Sequence, residues 1–310
     1  MCILHTKFNI EGNNMYLVTG ASGHLGLATI NHLLTTYKIP ANKIIAVTRD
    51  SSKLTDLKAK GITVRDGDFD DEAQLTKAFS GATRALLIST SSMEPGVRGK
   101  QHKNAVNAAA NAGITHVVYT SMVSADKSAV LFAPDHSSTE KALADSKIAG
   151  WTVLRNNWYF ENLFFSIPQA LASGSQYSAT AQGKTAYIAR DDLARAAAAA
   201  LSSTKGGKNM YSLSGSQEYT VDEVAKLVSA ATGKPLNVVH VPVEGLVQGM
   251  LGAGLPEGMA RLFASFDASI AQGDMAGTSA DYKTLTGAEP QSFEAWVKSD
   301  AAALSAPASH

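Results

Sequence analysis

The chain has little of what disulfide frameworks, metal centres and membrane spans require. Its 310 residues include one cysteine, Cys2, so neither a disulfide framework nor a cysteine-based metal site is expected. The eight histidines show no ligand spacing such as His-Glu-x-x-His, so we expect no metal. No apolar run approaches the roughly 20 residues that span a membrane, and no signal-peptide pattern is present. These absences favour a cytoplasmic protein without membrane insertion.

An excess of charge of one sign is also lacking. Lys plus Arg and Asp plus Glu each number 27, which gives a net charge of zero. A nucleic-acid partner normally requires a basic face, so none is expected. The length suffices for a large core or for two lobes.

The most informative stretch is a glycine-rich segment that follows the apolar run at residues 15–18. It precedes apolar positions with helical spacing, and strand, glycine turn and helix together form the geometry that binds a dinucleotide pyrophosphate. Its glycines follow a G-x-x-G-x-x-G spacing. The segment predicted to bind the cofactor consists of Gly20, Ala21, Ser22, Gly23, His24, Leu25 and Gly26.

Arg49 indicates which dinucleotide is bound. It ends the second predicted strand, at residues 43–48, where NAD enzymes often carry Asp or Glu for the ribose hydroxyls. A guanidinium can pair with a phosphate through two hydrogen bonds and can stack on adenine. The position therefore predicts NADP(H) rather than NAD(H), and the alternative is a solvated surface arginine.

Strand-like and helix-like runs alternate through the first half of the chain. Strands are predicted at residues 61–65, 85–88, 116–119 and 151–155, and helices at residues 72–79, 102–112 and 137–146. This pattern predicts an α/β Rossmann fold with a doubly wound parallel sheet and a smaller C-terminal α/β substrate lobe. We expect an N-terminal extension at residues 1–14, an NADP-binding domain at 15–155, and a substrate lobe at 156–310 interleaved with the Rossmann sheet.

Residues at the carboxyl ends of parallel strands are candidates for the ligand site, because ligands of such sheets bind there. The cofactor candidates after strands three to six are Asp68, Phe69, Ser89, Thr90, Ser91, Thr120, Ser121, Asn156, Asn157, Trp158, Tyr159 and Glu161. The candidates for contact with a second substrate are Met122, Trp158, Tyr159 and Asn162.

Many short-chain dehydrogenases use the tyrosine of a Tyr-x-x-x-Lys pair as their acid. This pair is missing at the place where it would be expected. Lys141 has a plausible position, but Ser137 stands four residues before it. This disfavours sugar-nucleotide epimerases and ordinary alcohol dehydrogenases. Hydride transfer to a quinone needs little acid, because the product anion is stabilised by its own ring, and then the protein mainly positions the reactants.

Aromatic residues after the sixth strand offer a surface for such a flat acceptor, namely the run at residues 158–160. Tyr159 is the better pocket candidate among them, whereas Phe164 and Phe165 are expected to be mostly core. Lys141 and Tyr159 are the candidate catalytic residues. The alternative for Lys141 is an ordinary surface position on a helix.

Several of these segments together resemble the NmrA-like atypical short-chain dehydrogenases/reductases. The segments are residues 18–26, 46–49, 119–121, 139–141 and 154–162. The resemblance implies flavin-free, NADPH-dependent two-electron reduction of quinones, and the related triphenylmethane dye reductases are also similar. It further implies that the glycine turn, Arg49, the loop after strand four, residues 156–161 and Arg190 line the cofactor, and we add Lys141 to this set.

Two other functions stay open at this point. One is a non-catalytic NADP(H)-binding redox sensor, and the other is a reductase of bulkier aromatic substrates such as dyes. In the enzyme interpretation the partner is a small quinone or another aromatic acceptor. The sequence leaves monomer and homodimer equally open.

Overall fold

The strands form one seven-stranded sheet and one two-stranded sheet in the computed structural model, which describes residues 14–94 and 96–306. The predicted extension therefore lies outside the described residues except for Asn14. The strands are β1 Tyr16–Val18, β2 Ile44–Thr48, β3 Thr63–Asp66, β4 Arg84–Leu87, β5 His116–Met122, β6 Gly150–Asn156, β7 Ser175–Ser178, β8 Lys208–Leu213 and β9 Asn237–His240.

The large sheet has the order β3-β2-β1-β4-β5-β6-β8, and β7 pairs with β9 in the small sheet. The pairs β1–β2, β1–β4, β2–β3 and β4–β5 are all parallel. The order reverses direction between β1 and β4, so the carboxyl ends of these two strands flank a topological switch point. The predicted α/β doubly wound fold is confirmed.

Helices alternate with these strands. They are α1 His24–Thr35, α2 Thr55–Ala59, α3 Glu72–Phe79, α4 Val97–Asn111, α5 Ala133–Asp145, α6 Ile167–Ser173, α7 Arg190–Ser202, α8 Val221–Thr232, α9 Val243–Gly252, α10 Glu257–Ala271, α11 Asp281–Thr286, α12 Phe293–Ser299 and α13 Ala301–Leu304. Short 3-10 helices occupy Ala41–Lys43, Ser51–Leu54 and Phe160–Phe165. Within the described residues, no helix is both long enough and apolar enough to cross a membrane.

The chain divides into two compact units. The first contains the described residues up to Ser121, together with Asp135–Leu154 and Leu193–Tyr211. The second contains Met122–Pro134, Arg155–Asp192 and the described residues from Ser212 onward. The domain boundary predicted at residue 155, and the smaller substrate lobe, stay predictions.

The core of the first unit follows from strands that are mostly apolar and buried along their whole length. Every residue of β1, β2 and β4 is buried, as expected for parallel strands covered on both faces. The alanine run at 196–200 lies fully buried in α7, as its composition indicates for a closely packed helix. Buried Arg84 donates to the carbonyls of Leu201 at 2.7 Å and Ala200 at 3.2 Å, and thereby satisfies the last turn of α7.

The second unit is built around aromatic side chains. Phe293 stacks on Tyr187 with ring centroids 5.2 Å apart, and Phe160 packs on Trp296 at 5.3 Å. Thr220 and Glu223, three residues apart as in the Thr-x-x-Glu pattern of a helix start, form a capping box at the start of α8. Apolar residues at helical spacing in 242–275 belong to two helices, α9 and α10, and Pro256 directly precedes the second one, where proline favours a helix start.

Two details differ from the sequence interpretation. Phe165 was expected in the core, but 85% of it is exposed, while Phe164 packs on Trp296 with a centroid distance of 5.4 Å. The polar strand β7 was not predicted, because its sequence Ser-Gln-Tyr-Ser carries no apolar signal. It pairs with β9, whose residues lie more than 50 positions further along the chain.

A close approach of backbone to backbone fixes α1 against the turn that precedes it. Gly20 adopts the left-handed conformation with φ +59°, and the amide of Gly23 donates to its carbonyl at 2.9 Å. A Cβ built on Gly26 would lie 2.9 Å from Ala21 Cα and closer still to the Gly20 carbonyl oxygen. Only glycine fits at position 26 without a backbone shift.

We predict that Gly26→Ala lowers the free energy of unfolding by about 3 kcal/mol or more, the upper end of what overpacking costs. Gly249→Ala is the matched control, since Gly249 is also helical and its Cβ would meet nothing within 4 Å. The control should gain about 0.5 to 1 kcal/mol, because alanine replaces glycine in a helix. Urea unfolding measures both variants, and equal changes would contradict the assignment.

Candidate functional site

The N-terminus of α1 is open to an anion. Gly23 occupies the N-cap without a side-chain hydrogen bond, and the first turn holds no acidic residue. Ser22, Gly23 and His24 are exposed, while Ala21, Leu25 and Gly26 are buried. The amides of the first turn are therefore left without side-chain partners, and the helix dipole adds a partial positive charge.

Arg49 lies exposed directly after β2. The next residue, Asp50, and Asp66, which pairs with Thr48 across β2 and β3, both already accept hydrogen bonds from other residues. Asp66 accepts from the Ser51 amide at 2.8 Å, and Asp50 accepts from the Ser52 amide at 3.1 Å. Within the part of the chain that the structure describes, Arg49 makes no ion pair. Its charge is therefore available to a ligand phosphate.

Loop residues after β3 are partly used within the loop itself. One carboxylate oxygen of Asp68 accepts from the Asp70 amide at 3.0 Å, and the Asp68 amide donates to Gln74. Phe69 is half-buried against the core, and its carbonyl accepts from Asn104 at 2.9 Å. Asp68 is half-buried in this loop, and its role and that of Phe69 in binding an adenine stay predictions.

The hydroxyl residues after β4 and β5 divide into two groups. Thr120 Oγ1 accepts from the Ser89 amide at 2.9 Å, and Ser121 Oγ donates to Glu140 Oε1 at 2.6 Å. Thr90 Oγ1, in contrast, is buried and has no hydrogen-bond partner among the described residues. Ser91 follows it in the same loop. Thr120 and Ser121 use their hydroxyls within the protein, whereas Thr90 Oγ1 is left for a partner from outside the described residues.

Lys141 lies on the outer side of α5. Its Nζ is 2.6 Å from Asp145, and 76% of its side chain is exposed. It lines an open groove of about 560 Å³ between α4 and α5, together with Lys103 and Lys147. This placement favours the surface alternative, and its cofactor and catalytic roles stay predictions.

In the second unit, two of the predicted residues after β6 stabilise the backbone. Asn157 donates to the Met275 carbonyl at 3.0 Å and accepts from the Trp158 amide at 2.7 Å. Glu161 accepts from the Arg190 amide with both oxygens, at 3.0 and 3.1 Å, and so caps α7. Both carboxylate oxygens of Glu161 thus have a partner within the protein.

Asn156 and Tyr159 keep functional groups for a ligand. Asn156 Nδ2 donates to the Tyr159 hydroxyl at 3.2 Å, while Asn156 Oδ1 is buried without a partner among the described residues. Burial raises the pKa of Tyr159, which keeps its phenol protonated and able to donate. Asn162 is half-buried one turn further on, with its amide bonded to the Tyr159 carbonyl.

An aromatic wall, formed by Phe132, Trp158 and Phe266, lies in the second unit. The ring centroids of Trp158 and Phe266 are 4.5 Å apart, and those of Phe132 and Phe266 are 5.7 Å apart. Met122 packs on the same cluster. The sequence predicts Met122 and Trp158 as acceptor candidates but neither Phe132 nor Phe266. Residues this far apart in sequence give no local signal of their proximity.

Buried histidines form a polar cluster in the first unit. His102 Nδ1 lies 2.9 Å from Thr139 Oγ1 and 3.2 Å from the Tyr119 hydroxyl, which is 2.8 Å from His136 Nδ1. Burial lowers the pKa of His102 to about 3, lowers that of His136 well below its usual value, and raises that of Tyr119. All three rings are therefore neutral at ordinary pH.

These features fit a dinucleotide with an extra phosphate. The turn leaves the first amides of α1 without side-chain partners, and Arg49 lies exposed at the end of β2, without an ion pair among the described residues. Two buried acceptors, Thr90 Oγ1 and Asn156 Oδ1, lack partners among the described residues. The described residues contain no group of three or more His, Cys, Asp or Glu side chains able to hold a metal ion.

Fold and site together define a dinucleotide-binding protein of the doubly wound α/β class. Its family follows from sequence comparison. The chain belongs to the NmrA-like family, whose model matches residues 13–297. The family expected from the motifs is thereby confirmed.

Several relatives have been characterised. Quinone oxidoreductase 2 of Escherichia coli is 39% identical over 272 residues, which cover 88% of this chain and 92% of that protein. The crystal structure of the NADPH-dependent quinone oxidoreductase from Escherichia coli with NADPH matches with a TM-score of 0.86 and 37% identity, over 92% of this chain and 99% of that one. Citrobacter sp. triphenylmethane reductase matches with a TM-score of 0.84 and 33% identity, over 93% and 99% of the two chains.

We predict that Arg49→Ala raises the KM for NADPH by about tenfold to hundredfold, because one charged hydrogen-bonding partner of the 2′-phosphate is lost. The KM for NADH should change little. Lys58→Ala, which removes another exposed positive charge on the adjacent helix α2, is the control for general electrostatics. Equal effects of Arg49→Ala on both cofactors would contradict the assignment.

Proposed function

We propose that this chain reduces quinones by direct hydride transfer from NADPH, without flavin or metal. The proposal rests on two features that occur together. The glycine turn that binds a dinucleotide is complete, and the tyrosine that acts as the acid in many short-chain dehydrogenases is missing. Ser137 occupies the place of the tyrosine in Tyr-x-x-x-Lys. The acceptor must therefore be one that takes up a hydride with little help from a protein acid.

The relatives support this reaction. The similar proteins from Escherichia coli are a quinone oxidoreductase and an NADPH complex of such an enzyme. A more distant relative, the NAD(P)H azoreductase of Xenophilus azovorans, is 28% identical over 94% of this chain. Their substrates are planar and conjugated, and NADPH when bound supplies the hydride.

The cofactor is assigned to groups of the chain by their chemistry. The amides of the turn at Gly20–Gly26 and the start of α1 bind the pyrophosphate, and Arg49 binds the 2′-phosphate. Asp68 and Phe69 receive the adenine. The hydroxyls of Ser89, Thr90 and Ser91 receive the ribose on the nicotinamide side, in a loop whose Thr90 oxygen is buried without a partner among the described residues.

The acceptor is assigned to the aromatic wall and Met122. A flat ring gains stacking and apolar contact on such a surface. Tyr159 and Asn162 follow the same strand end, and the protonated phenol of Tyr159 can donate a hydrogen bond to a quinone oxygen. The hydride supplies one hydrogen and both electrons, and the one proton that completes the hydroquinone then comes from solvent, since the reduced ring carries its own stabilised charge.

The triphenylmethane reductase relative favours a second candidate, the reduction of larger aromatic cations. The aromatic wall suits both substrates, because a cation also binds to the face of an aromatic ring. The redox-sensor alternative has no specific contact in its favour. The partner is a small molecule in either enzyme interpretation, and a cytoplasmic location and a monomer or homodimer state stay predictions.

Oxidation of NADPH by the purified protein, followed by the absorbance of the reduced nicotinamide, tests the proposal. We expect turnover that depends on 1,4-benzoquinone and that is faster with NADPH than with NADH. Tight NADPH binding without turnover on any quinone or dye would overturn the enzyme proposal and favour the sensor. Turnover on malachite green alone would favour the dye reductase.

Substitution of Phe266 tests the acceptor surface separately. We predict that Phe266→Leu raises the KM for 1,4-naphthoquinone by about three- to tenfold, the value of a lost ring–ring contact, with an unchanged KM for NADPH. Phe263→Leu, on the same helix and 6.5 Å from the Phe266 ring, is the control. Similar effects of both substitutions would show that the helix, and not the wall, determines the KM.

A further inference from the structure

The loop after β4 is held by side chains at successive backbone amides. Ile88 N–H donates to Thr19 Oγ1 at 2.9 Å, and Ser89 N–H donates to Thr120 Oγ1 at 2.9 Å. Thr90 N–H donates to Nε2 of His102 at 3.0 Å. Each acceptor comes from a different element, namely the end of β1, β5 and α4. The loop is thereby fixed from three directions.

The hydrogen bonds determine the protonation of His102. A backbone N–H can only donate, so His102 Nε2 is the acceptor and carries no proton. Thr139 Oγ1 already donates to the Asp135 carbonyl at 2.6 Å, so it must accept from His102 Nδ1–H. The bonds to the Thr90 amide and to Thr139 therefore require the same neutral tautomer of His102, with its proton on Nδ1. Burial of the ring, which is 1% exposed, disfavours the charged form that would break the bond to Thr90.

Further contacts make this arrangement rigid. The Tyr119 hydroxyl lies 3.2 Å from His102 Nδ1 and 2.8 Å from His136 Nδ1, which links α4, β5 and α5. Arg98, one turn before His102 on α4, donates to the Ser92 carbonyl at 3.0 Å. The amides of Ile88, Ser89 and Thr90 are used in these bonds. The hydroxyls of the loop face fewer such demands, and Thr90 Oγ1 is buried without a partner among the described residues.

We propose that His102 is a positioning residue for the cofactor, which acts through the Thr90 amide to hold the loop at residues 88–91 in the conformation that receives the nicotinamide half of NADPH. The proposal rests on the proposed function for the identity of the ligand. It assigns to His102 no contact with the cofactor. The positioning role requires that the side chain at position 102 offers a neutral hydrogen-bond acceptor where Nε2 lies. A side chain that only fills the space would not meet this requirement.

Two substitutions of His102 separate these roles. His102→Asn keeps a donor close to Nδ1, facing Thr139, but is too short to reach the Thr90 amide. His102→Gln places its amide oxygen near the Nε2 position and can restore that bond. His116→Gln is the control, because His116 is also buried, lies at the opposite end of β5 and bonds Thr152 Oγ1 at 3.0 Å.

The first measurement is amide hydrogen exchange of the loop at residues 88–92 in the protein without ligand. We expect exchange at least about tenfold faster in His102→Asn, since a buried amide has lost its acceptor, and near-normal exchange in His102→Gln. His116→Gln should leave this loop unchanged. Unchanged exchange in His102→Asn would overturn the proposal, whatever reaction the enzyme performs.

The second measurement is ligand affinity, by fluorescence titration with NADPH and with adenosine 2′,5′-bisphosphate, which lacks the nicotinamide half. We expect His102→Asn to weaken NADPH about tenfold and to leave the bisphosphate unchanged, with recovery in His102→Gln. Equal weakening of both ligands, or of neither, would overturn the proposal. Binding of neither ligand by the wild-type protein would overturn the proposed function instead.

A second variant covers the case in which His102→Asn does not fold. Thr120→Val is nearly isosteric and removes the acceptor of the neighbouring Ser89 amide. The same pattern is expected, with faster exchange in the loop, weaker NADPH binding and an unchanged affinity for the bisphosphate. Normal exchange and affinity in Thr120→Val would contradict a loop that depends on side-chain acceptors.

Discussion

The approach of α1 to the turn that precedes it determines much of this molecule. At Gly26 the helix lies so close to the Gly20 carbonyl that a methyl group would overlap backbone atoms. The same closeness leaves the N-cap to Gly23, which brings no side chain to the first helical amides. Close packing of α1 and first amides without side-chain partners therefore occur together at this turn. A capping serine would stabilise the helix, but it would also occupy the amides that a pyrophosphate needs.

Polar groups at the carboxyl edge of the sheet divide into those with partners in the protein and those without. Thr120, Asn157 and Glu161 hold strand ends or cap a helix with their side chains. Thr90 Oγ1 and Asn156 Oδ1 are buried without partners among the described residues, which is costly unless a ligand satisfies them. The sequence predicts that all of these residues follow the carboxyl ends of strands. It cannot separate the two kinds, because the distinction depends on partners that come from other elements.

The sequence predicts features that depend on neighbouring residues, but it does not predict features that depend on residues far apart in the chain. The helix at residues 72–79 and the capping box at Thr220 follow from neighbouring residues, and the structure has both. The aromatic wall joins Phe132 to Phe266 across more than 130 positions, which no period or spacing reveals. The strand β7 is polar, and its existence depends on β9 rather than on its own residues. The roles of the individual site residues remain predictions for the same reason.

The missing tyrosine and the aromatic wall, as the proposed acceptor surface, favour the same kind of acceptor. Reduction of an ordinary ketone produces an alkoxide, which is so basic that a nearby acid must protonate it. Reduction of a quinone produces an anion whose charge is spread over a ring, and a hydrogen bond from a neutral phenol is then sufficient. Tyr159, with its raised pKa, is a hydrogen-bond donor of this kind. A site with a weak donor and a stacking surface therefore favours conjugated acceptors over simple carbonyl compounds, because it stabilises the former and leaves the alkoxide of the latter without a proton.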